Sequence, residues 1–407
     1  MGGSEEYRLA ADTIGEEELA AARAVLESGR LTMGANVQAF EHEFAAWTGA
    51  AHAIFVNSGS SANLITVDAM LRRSAGEAPW KAGDEVLVPA LAWPTTVWPL
   101  VQLGLMPVLV DVDATTLAID LDSAAAALSP RTRGMFLIHV LGRAPDMDAY
   151  TAFCRRHGLA LIEDICESLG AHHGGRHAGR FGGMGTFSCY FSHHISTIEG
   201  GFVVTDDPEL RDDLSSLRAH GWSRDRSDRA EWQARYPALD DRFIFVMGGY
   251  NVRATELQAA IGRVQLKKLD AMLVAREQLA ARVHGLLERQ VPWLELVGAD
   301  CFPVEAPTRR ERRHSWMTLP LRLRADAPTS VAAVKQRLES MGVETRSIIA
   351  GNLGSHPAAA RLPLRFAPSL ATCDRLLERG FMIGCHPVAT PGSLSTLEAA
   401  LASLATL

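Results

Sequence analysis

Short, continuous apolar runs constrain the fold of this chain more than any other feature of its sequence. Seven of them lie in the first half of the chain, and longer stretches of helical character separate them. The strands that they predict cover residues 53–56, 86–88, 108–111, 135–140, 159–164, 186–191 and 201–205. Strands that alternate with helices build an α/β fold, and continuous apolar runs are typical of parallel strands covered on both faces. We therefore expect one large, mostly parallel, seven-stranded sheet.

The pattern changes in the second half of the chain. Residues of about 255–290 show a helical apolar periodicity without proline, which predicts one long helix. Shorter strand and helix signals follow it. These features predict a large domain of residues 1–265 and a smaller C-terminal α/β domain of residues 266–407, linked by the long helix.

Charge and cysteine patterns argue against several classes of protein. A formal net charge of −7 gives no basic surface for nucleic acid. The uncharged stretch 86–110 is long enough to suggest a membrane span, but its prolines would break a spanning helix. The six cysteines form no CxC or CxxC pair, and the N-terminus is polar and acidic. We expect a cytoplasmic protein with no metal, nucleic-acid or membrane partner.

A turn rich in glycine and serine follows the first predicted strand. The segment FVNSGSSANL (55–64) leads from that strand into a helix, and the free N–H groups at a helix start bind anions. The turn lacks the lysine of a Walker loop and the spacing of a dinucleotide fingerprint. Taken alone, an ordinary helix cap explains it at least as well as a phosphate site.

Two later strands also end on polar residues. The segment IEDICESLGA (162–171) places Asp164 at a strand end, where an acid can hold the protonated ring nitrogen of a cofactor, although a helix cap is an equally good interpretation. The segment GGMGTFSCYFSHHISTIEGG (182–201) contains two adjacent histidines. Adjacent side chains diverge on a strand and make a poor metal site, but histidine carries protons near neutral pH.

In this order, the motifs closely resemble the DegT/StrS-type family of sugar aminotransferases and sugar dehydratases. The resemblance extends over roughly residues 32–386 and includes GDEVLVPALAWPTT (83–96), RAHGWSRD (218–225) and GGYNVRATELQAAIG (248–262). It implies an aspartate-aminotransferase-like (fold type I) architecture. It also implies pyridoxal or pyridoxamine 5′-phosphate as the cofactor.

The resemblance assigns residues to the cofactor phosphate. Gly59 and Ser60 would hold the phosphate together with Ser188, and Asn251 would reach it from a neighbouring subunit. The active site would therefore require a homodimer. Plain structural roles remain open, since Ser188 can be an ordinary strand hydroxyl and Asn251 a turn residue.

A second group of residues would contact the cofactor ring. Trp93 would stack on the pyridine ring, unless it is a core aromatic, and Asp164 would pair with the ring nitrogen. Glu167 stands where many family members have glutamine near the ring hydroxyl. Arg218, Trp222, Arg224 and Arg346 could contact a diphosphate or a sugar, but surface pairing explains each arginine equally well.

Position 193 departs from the pattern of the family's aminotransferases. Those enzymes have a lysine five residues after the phosphate-binding serine, and it binds the cofactor covalently. This chain has His193 there, and an imidazole can move protons but cannot form that bond. None of the chain's lysines is near the cofactor motifs in sequence; they are Lys81, Lys267, Lys268 and Lys335. The exchange resembles the sugar 3-dehydratase branch of the family, in which the cofactor binds non-covalently.

The resemblance therefore implies a lyase that depends on pyridoxamine phosphate. It would remove the 3-hydroxyl of a nucleotide-linked 4-keto-6-deoxyhexose, with His193 as acid and base and glutamate as the amino donor. One alternative is an atypical sugar-nucleotide aminotransferase of the same family. Another is a cofactor-binding regulator, although decay of the active site would be expected to erode Asp164 and Ser188 as well. The nucleotide, the sugar and the pathway stay open.

Overall fold

The structure is a computed structural model that describes residues 5–73, 80–302 and 311–407. The helices, in chain order, are α1 (Glu16–Ser28), α2 (Ala35–Thr48), α3 (Gly59–Arg72), α4 (Pro94–Gln102), α5 (Leu121–Ala126), α6 (Met147–His157), α7 (Pro208–Arg218), α8 (Arg229–Arg235), α9 (Glu256–Gln290), α10 (Val331–Ser340), α11 (Ala371–Arg379) and α12 (Pro391–Ser403). The strands are β1 (His52–Val56), β2 (Glu85–Pro89), β3 (Met106–Val110), β4 (Thr132–Ile138), β5 (Ala160–Asp164), β6 (His172–His173), β7 (Arg176–His177), β8 (Met184–Ser188), β9 (Gly201–Thr205), β10 (Leu294–Leu296), β11 (Thr318–Leu323), β12 (Thr345–Arg346), β13 (Arg365–Phe366) and β14 (Gly380–Gly384).

The larger sheet contains all seven predicted strands. Its order is β1-β9-β8-β5-β4-β2-β3-β13. Neighbours from β8 to β13 are parallel, whereas β9 is antiparallel to both β1 and β8. The prediction of a mostly parallel α/β sheet is confirmed. The sheet has eight strands instead of seven because β13, only two residues long, pairs with β3 and leaves no apolar run in the sequence.

A second, antiparallel sheet forms from the later part of the chain. Its order is β10-β11-β14-β12. Its core also includes Tyr7 from the N-terminal segment, which packs with Val343 and Phe381. The predicted division of the chain after residue 265 stays a prediction.

Helix α9 links the cores of the two sheets. It begins at a capping box in which Thr255 Oγ1 accepts a hydrogen bond from the backbone of Gln258, and the Gln258 side chain accepts one from the backbone of Thr255. Its first half packs Leu269 and Leu273 beside the larger sheet, and its second half packs Leu287 beside the smaller one. Among the described residues, no helix has both the length and the apolar character that a membrane span requires.

The strand directions bring the predicted site residues to one edge of the larger sheet. Strand β5 ends at Asp164 and β8 ends at Ser188, and Trp93 follows shortly after β2. Strand β1 runs in the same direction as β8, because both are antiparallel to β9, and it leads into Gly59. Ligands of α/β sheets bind at the carboxyl ends of the strands. This edge is therefore where we look for chemistry.

Candidate active site

The start of α3 and the end of β8 form a tightly packed cradle. Ser58 caps the helix by accepting a hydrogen bond from the backbone N–H of Ser61 at 3.1 Å. A Cβ atom on Gly59 would lie 2.7 Å from Ser188 Cβ and 3.0 Å from Cys166 Sγ, so only glycine permits this approach. The cradle joins the free N–H groups of a helix start to the Ser188 hydroxyl. Such an arrangement binds anions.

Two further residues of the predicted phosphate site lie at the surface. Ser60 follows Gly59 in the first turn of α3 and is exposed. Asn251 is exposed as well, and its Oδ1 accepts a hydrogen bond from Arg253 Nε at 3.0 Å. Its backbone forms a bridge with Ala219. The reach of Asn251 into a neighbouring subunit stays a prediction.

Asp164 is a buried carboxylate surrounded by donors. Its Oδ2 accepts hydrogen bonds from Thr96 Oγ1 at 2.7 Å and Asn63 Nδ2 at 2.9 Å, and its Oδ1 accepts one from the backbone N–H of Cys166 at 3.0 Å. A carboxylate offers about four acceptor positions. Three of them are used, and one is left for a further donor such as a ring N–H.

Sequence reasoning missed Thr96 and Asn63 as partners of Asp164. Asn63 lies one helical turn after Gly59 on α3, and Thr96 lies three residues after Trp93 in the first turn of α4. Residues three or four apart share a helix face. That spacing from residues already singled out was the signal that could have found them.

Trp93 lies at the sheet edge and not in the core. It is the N-cap of α4 and is 46% exposed. The guanidinium of Arg346, on β12 of the smaller sheet, lies 5.3 Å from the centre of its ring, within the range of a cation–π interaction. The two sheets therefore both contribute side chains to this edge.

Glu167 is a carboxyl whose environment favours the protonated form. Its Oε2 accepts a hydrogen bond from the backbone N–H of Leu141 at 3.0 Å. Burial and the nearby charge of Asp164 raise the pKa of Glu167 to about 7, although the Leu141 N–H and Arg346 act in the opposite direction. A protonated carboxyl can donate a hydrogen bond, as the amide of glutamine does.

His193 lies on the loop that joins β8 to β9. Its backbone N–H donates to the carbonyl of Tyr190 at 2.9 Å, and the backbone N–H of Tyr190 donates to Ser188 Oγ at 3.2 Å. The Tyr190 and His193 rings meet edge to face with centroids 5.8 Å apart. Burial, with the charge of Arg276, lowers the pKa of His193 to about 4. The imidazole is therefore neutral at physiological pH, the form that can accept a proton.

The four lysines of the chain lie elsewhere. Lys81 and Lys267 are exposed, and Lys335 is half-buried on α10. Lys268 forms ion pairs with Glu17 and Glu18.

Known proteins resemble this chain over nearly its whole length. Residues 12–401 match the family model described as the DegT/DnrJ/EryC1/StrS aminotransferase family. GDP-4-keto-6-deoxy-D-mannose 3-dehydratase of Yersinia pseudotuberculosis is 35% identical over 385 residues, which cover 94% of this chain and 94% of that protein. dTDP-4-dehydro-2,6-dideoxy-D-glucose 3-dehydratase of Saccharopolyspora spinosa is 36% identical over 398 residues, which cover 95% of this chain and 84% of that protein.

A solved structure extends the likeness to the fold. The crystal structure of GDP-4-keto-6-deoxymannose-3-dehydratase with a trapped PLP-glutamate geminal diamine matches with a TM-score of 0.84 and 32% identity, and the match covers 98% of this chain and 99% of that one. The prediction of an aspartate-aminotransferase-like (fold type I) architecture is confirmed. The chain belongs to the DegT/DnrJ/EryC1/StrS aminotransferase family.

Proposed function

We propose that this chain is a sugar 3-dehydratase that depends on pyridoxamine or pyridoxal phosphate. It removes the 3-hydroxyl of a nucleotide-linked 4-keto-6-deoxyhexose. The observation that carries the proposal is His193, which stands where the family's aminotransferases have their covalent lysine, in a site that keeps Asp164 and Ser188. Two relatives that are 35% and 36% identical are named as 3-dehydratases of nucleotide-linked sugars, which supports the same reaction class.

The residues at the sheet edge fit this cofactor. The Gly59–Ser188 cradle would hold the phosphate, because a side chain at Gly59 would fill the space between α3 and β8. The remaining acceptor position of Asp164 would take the ring N–H, Trp93 would cover the ring face, and Glu167 would bond the ring hydroxyl. When bound, the cofactor supplies an electron sink and a primary amine.

His193 would move the protons of the reaction. Because its imidazole is neutral at physiological pH, it can remove a proton beside the cofactor ring. The imidazolium that results can then donate this proton to the departing 3-hydroxyl, which leaves as water. One residue thus acts first as base and then as acid, and the absence of a lysine leaves the cofactor free to dissociate.

Further parts of the proposal concern partners and location. Glutamate would restore the amine form of the cofactor, in line with the PLP-glutamate adduct named for the solved relative. A homodimer would bring Asn251 of one subunit to the phosphate of the other. All six cysteines are free in the structure, which supports a reducing, cytoplasmic location.

Product analysis tests the reaction. Purified protein is incubated with pyridoxamine phosphate, glutamate and either GDP- or dTDP-linked 4-keto-6-deoxyhexose. The masses of the sugar nucleotides are then measured by mass spectrometry. We expect a product that lacks one oxygen atom. A product that keeps the oxygen and gains an amino group would instead establish the aminotransferase alternative.

A pair of variants assigns the reaction to the site. His193→Asn removes the proton carrier and should abolish deoxygenation. His157→Asn, an exposed histidine on α6, is the matched control and should leave the rate unchanged. Equal rates for the two variants would exclude His193 as the acid and base.

A further inference from the structure

Arg276 is a buried cation that forms no ion pair with any other described residue. It lies on α9, is 3% exposed, and forms no ion pair with a carboxylate in the part of the chain that the structure describes. Its Nη1 donates to the backbone carbonyls of Trp316 at 3.2 Å and Met317 at 3.0 Å, and to that of Cys385. These carbonyls satisfy hydrogen bonds, but no carboxylate within the described ranges compensates the positive charge. Burying a charge of this kind costs free energy of desolvation, so we expect Arg276 to have a role beyond packing.

The segment held by Arg276 also holds the loop of His193. The ring Nε2 of His194, the next residue after His193, lies 3.1 Å from the carbonyl oxygen of Ser315. Ser315 directly precedes Trp316, whose carbonyl accepts from Arg276. Helix α9, the His193 loop and the residues before β11 therefore meet at residues 315–317.

The same segment reaches the cofactor-binding edge. The backbone N–H groups of Ser315 and Met317 donate to the carbonyls of Gly142 at 2.7 Å and Leu141 at 3.0 Å. The N–H of Leu141 in turn donates to Glu167. Arg276 thus anchors a segment that touches both sides of the candidate site.

A fixed positive charge disfavours a second one nearby, and burial strengthens the effect. Among the described residues, the titratable groups around the His193 ring are Tyr190 and His194 on its own loop and Arg276 on α9. Burial and Arg276 both lower the pKa of His193, and they lower the pKa of the neighbouring His194 as well. Arg276 is the only permanent cation in this group.

We propose that Arg276 is a positioning residue that fixes the His193 loop through residues 315–317 and places a fixed positive charge beside that loop. The proposal rests on the proposed function only in that His193 is the proton carrier. It gives a role to an arginine that has no carboxylate partner among the described residues. Burial and that charge favour the neutral imidazole, which is the form of His193 that can accept a proton.

The test is a titration of the His193 ring in the full-length, cofactor-free protein. The ring signal is followed by NMR after histidine labelling and is assigned by its loss in His193→Gln. In the wild type we expect a midpoint near pH 4. In Arg276→Gln, which can still donate to the carbonyls, the midpoint should rise towards that of an ordinary histidine, since one of the two causes is removed.

Two further variants separate charge from packing. Arg276→Lys keeps the charge and should keep the low midpoint. Arg282→Met removes an exposed arginine from the same helix and should leave the midpoint unchanged. If Arg276→Gln folds and titrates as the wild type does, the charge has no part in the effect.

The wild-type midpoint tests the proposal even if no Arg276 variant folds. A midpoint at or above pH 6.5 would overturn it outright. The titration does not require the enzyme to turn over its substrate. The proposal for Arg276 and the proposal of a dehydratase can therefore be rejected independently of each other. A midpoint that rises in Arg276→Gln, with no deoxygenated product from the wild type, would support the charge effect and reject the dehydratase function. An unchanged midpoint in that variant, with a deoxygenated product from the wild type, would reject the charge effect alone.

Discussion

Replacing Glu167 by glutamine should change how the stability of the protein depends on pH. The variant keeps an oxygen that can accept the N–H of Leu141, so the fold is preserved. It removes a carboxyl whose pKa is raised from 4.5 to about 7, mainly by burial and also by the charge of Asp164. A carboxyl with a raised pKa binds a proton more tightly in the folded chain than in the unfolded one. Its contribution to stability is therefore complete below pH 4.5 and is lost as the pH rises through 7.

The magnitude follows from the two pKa values. Between pH 5 and pH 9 Glu167 ionises in the folded wild type, whereas it is already mostly ionised in the unfolded chain. The free energy of unfolding therefore falls by about 2.5 kcal/mol over this range. Urea unfolding of the cofactor-free protein at several pH values measures this directly. The free energy of unfolding of the wild type should fall relative to that of Glu167→Gln by roughly this amount. Other titrating groups cancel in the difference between the two proteins.

A control variant isolates the effect. Glu199→Gln removes an exposed carboxylate and should give the same pH dependence as the wild type. A constant difference between the wild type and Glu167→Gln from pH 5 to pH 9 would refute the reasoning, because it would mean that Glu167 ionises as it does in water.

Three further predictions concern the cradle, the ring partner and acid stability. Gly59→Ala should weaken binding of pyridoxamine phosphate at least tenfold in an absorbance titration, because the new methyl group would lie 2.7 Å from Ser188 Cβ; unchanged affinity would place the phosphate elsewhere. Asp164→Asn should weaken cofactor binding by a similar factor, because the charge that faces the ring nitrogen is lost; equal affinity would remove Asp164 from the site. Burial lowers the pKa of His386 to about 4, so the unfolded chain takes up a proton between pH 6.5 and 4 that the folded chain does not. Unfolding in urea should show about 2.5 kcal/mol less stability lost over that range for His386→Asn than for the wild type, and equal losses would contradict the burial argument.

The sheet could be predicted from the sequence because its strands are apolar runs bounded by turns. Strand β13 could not, since two residues carry no periodicity and pair only once the chain has folded back onto β3. Strand β8 is predicted to extend to residue 191 but ends at Ser188, because the chain turns there: the N–H of Tyr190 donates to the Ser188 hydroxyl and the N–H of His193 donates to the Tyr190 carbonyl.

The candidate site also contains residues that could be predicted from the sequence and residues that could not. Residues within a motif, such as Gly59, Asp164 and Ser188, could be singled out because their residue types already indicate their chemistry. Arg276 lies more than eighty residues after His193 and resembles any other arginine of a helix. Its burial and missing counter-charge appear only when α9, the His193 loop and the segment before β11 are brought together. The raised pKa of Glu167 has the same origin, because a sequence does not state how deeply a carboxyl is buried.

The most direct measurement of the central claim compares the products of the wild type and His193→Lys. Both proteins are given pyridoxamine phosphate, glutamate and a nucleotide-linked 4-keto-6-deoxyhexose, and the sugar nucleotide is analysed by mass. We expect the wild type to release a sugar that lacks one oxygen, and the lysine variant to release only sugars that keep the oxygen at carbon 3. Deoxygenation at the same rate by both proteins would contradict the account, because the identity of residue 193 would then not decide the reaction.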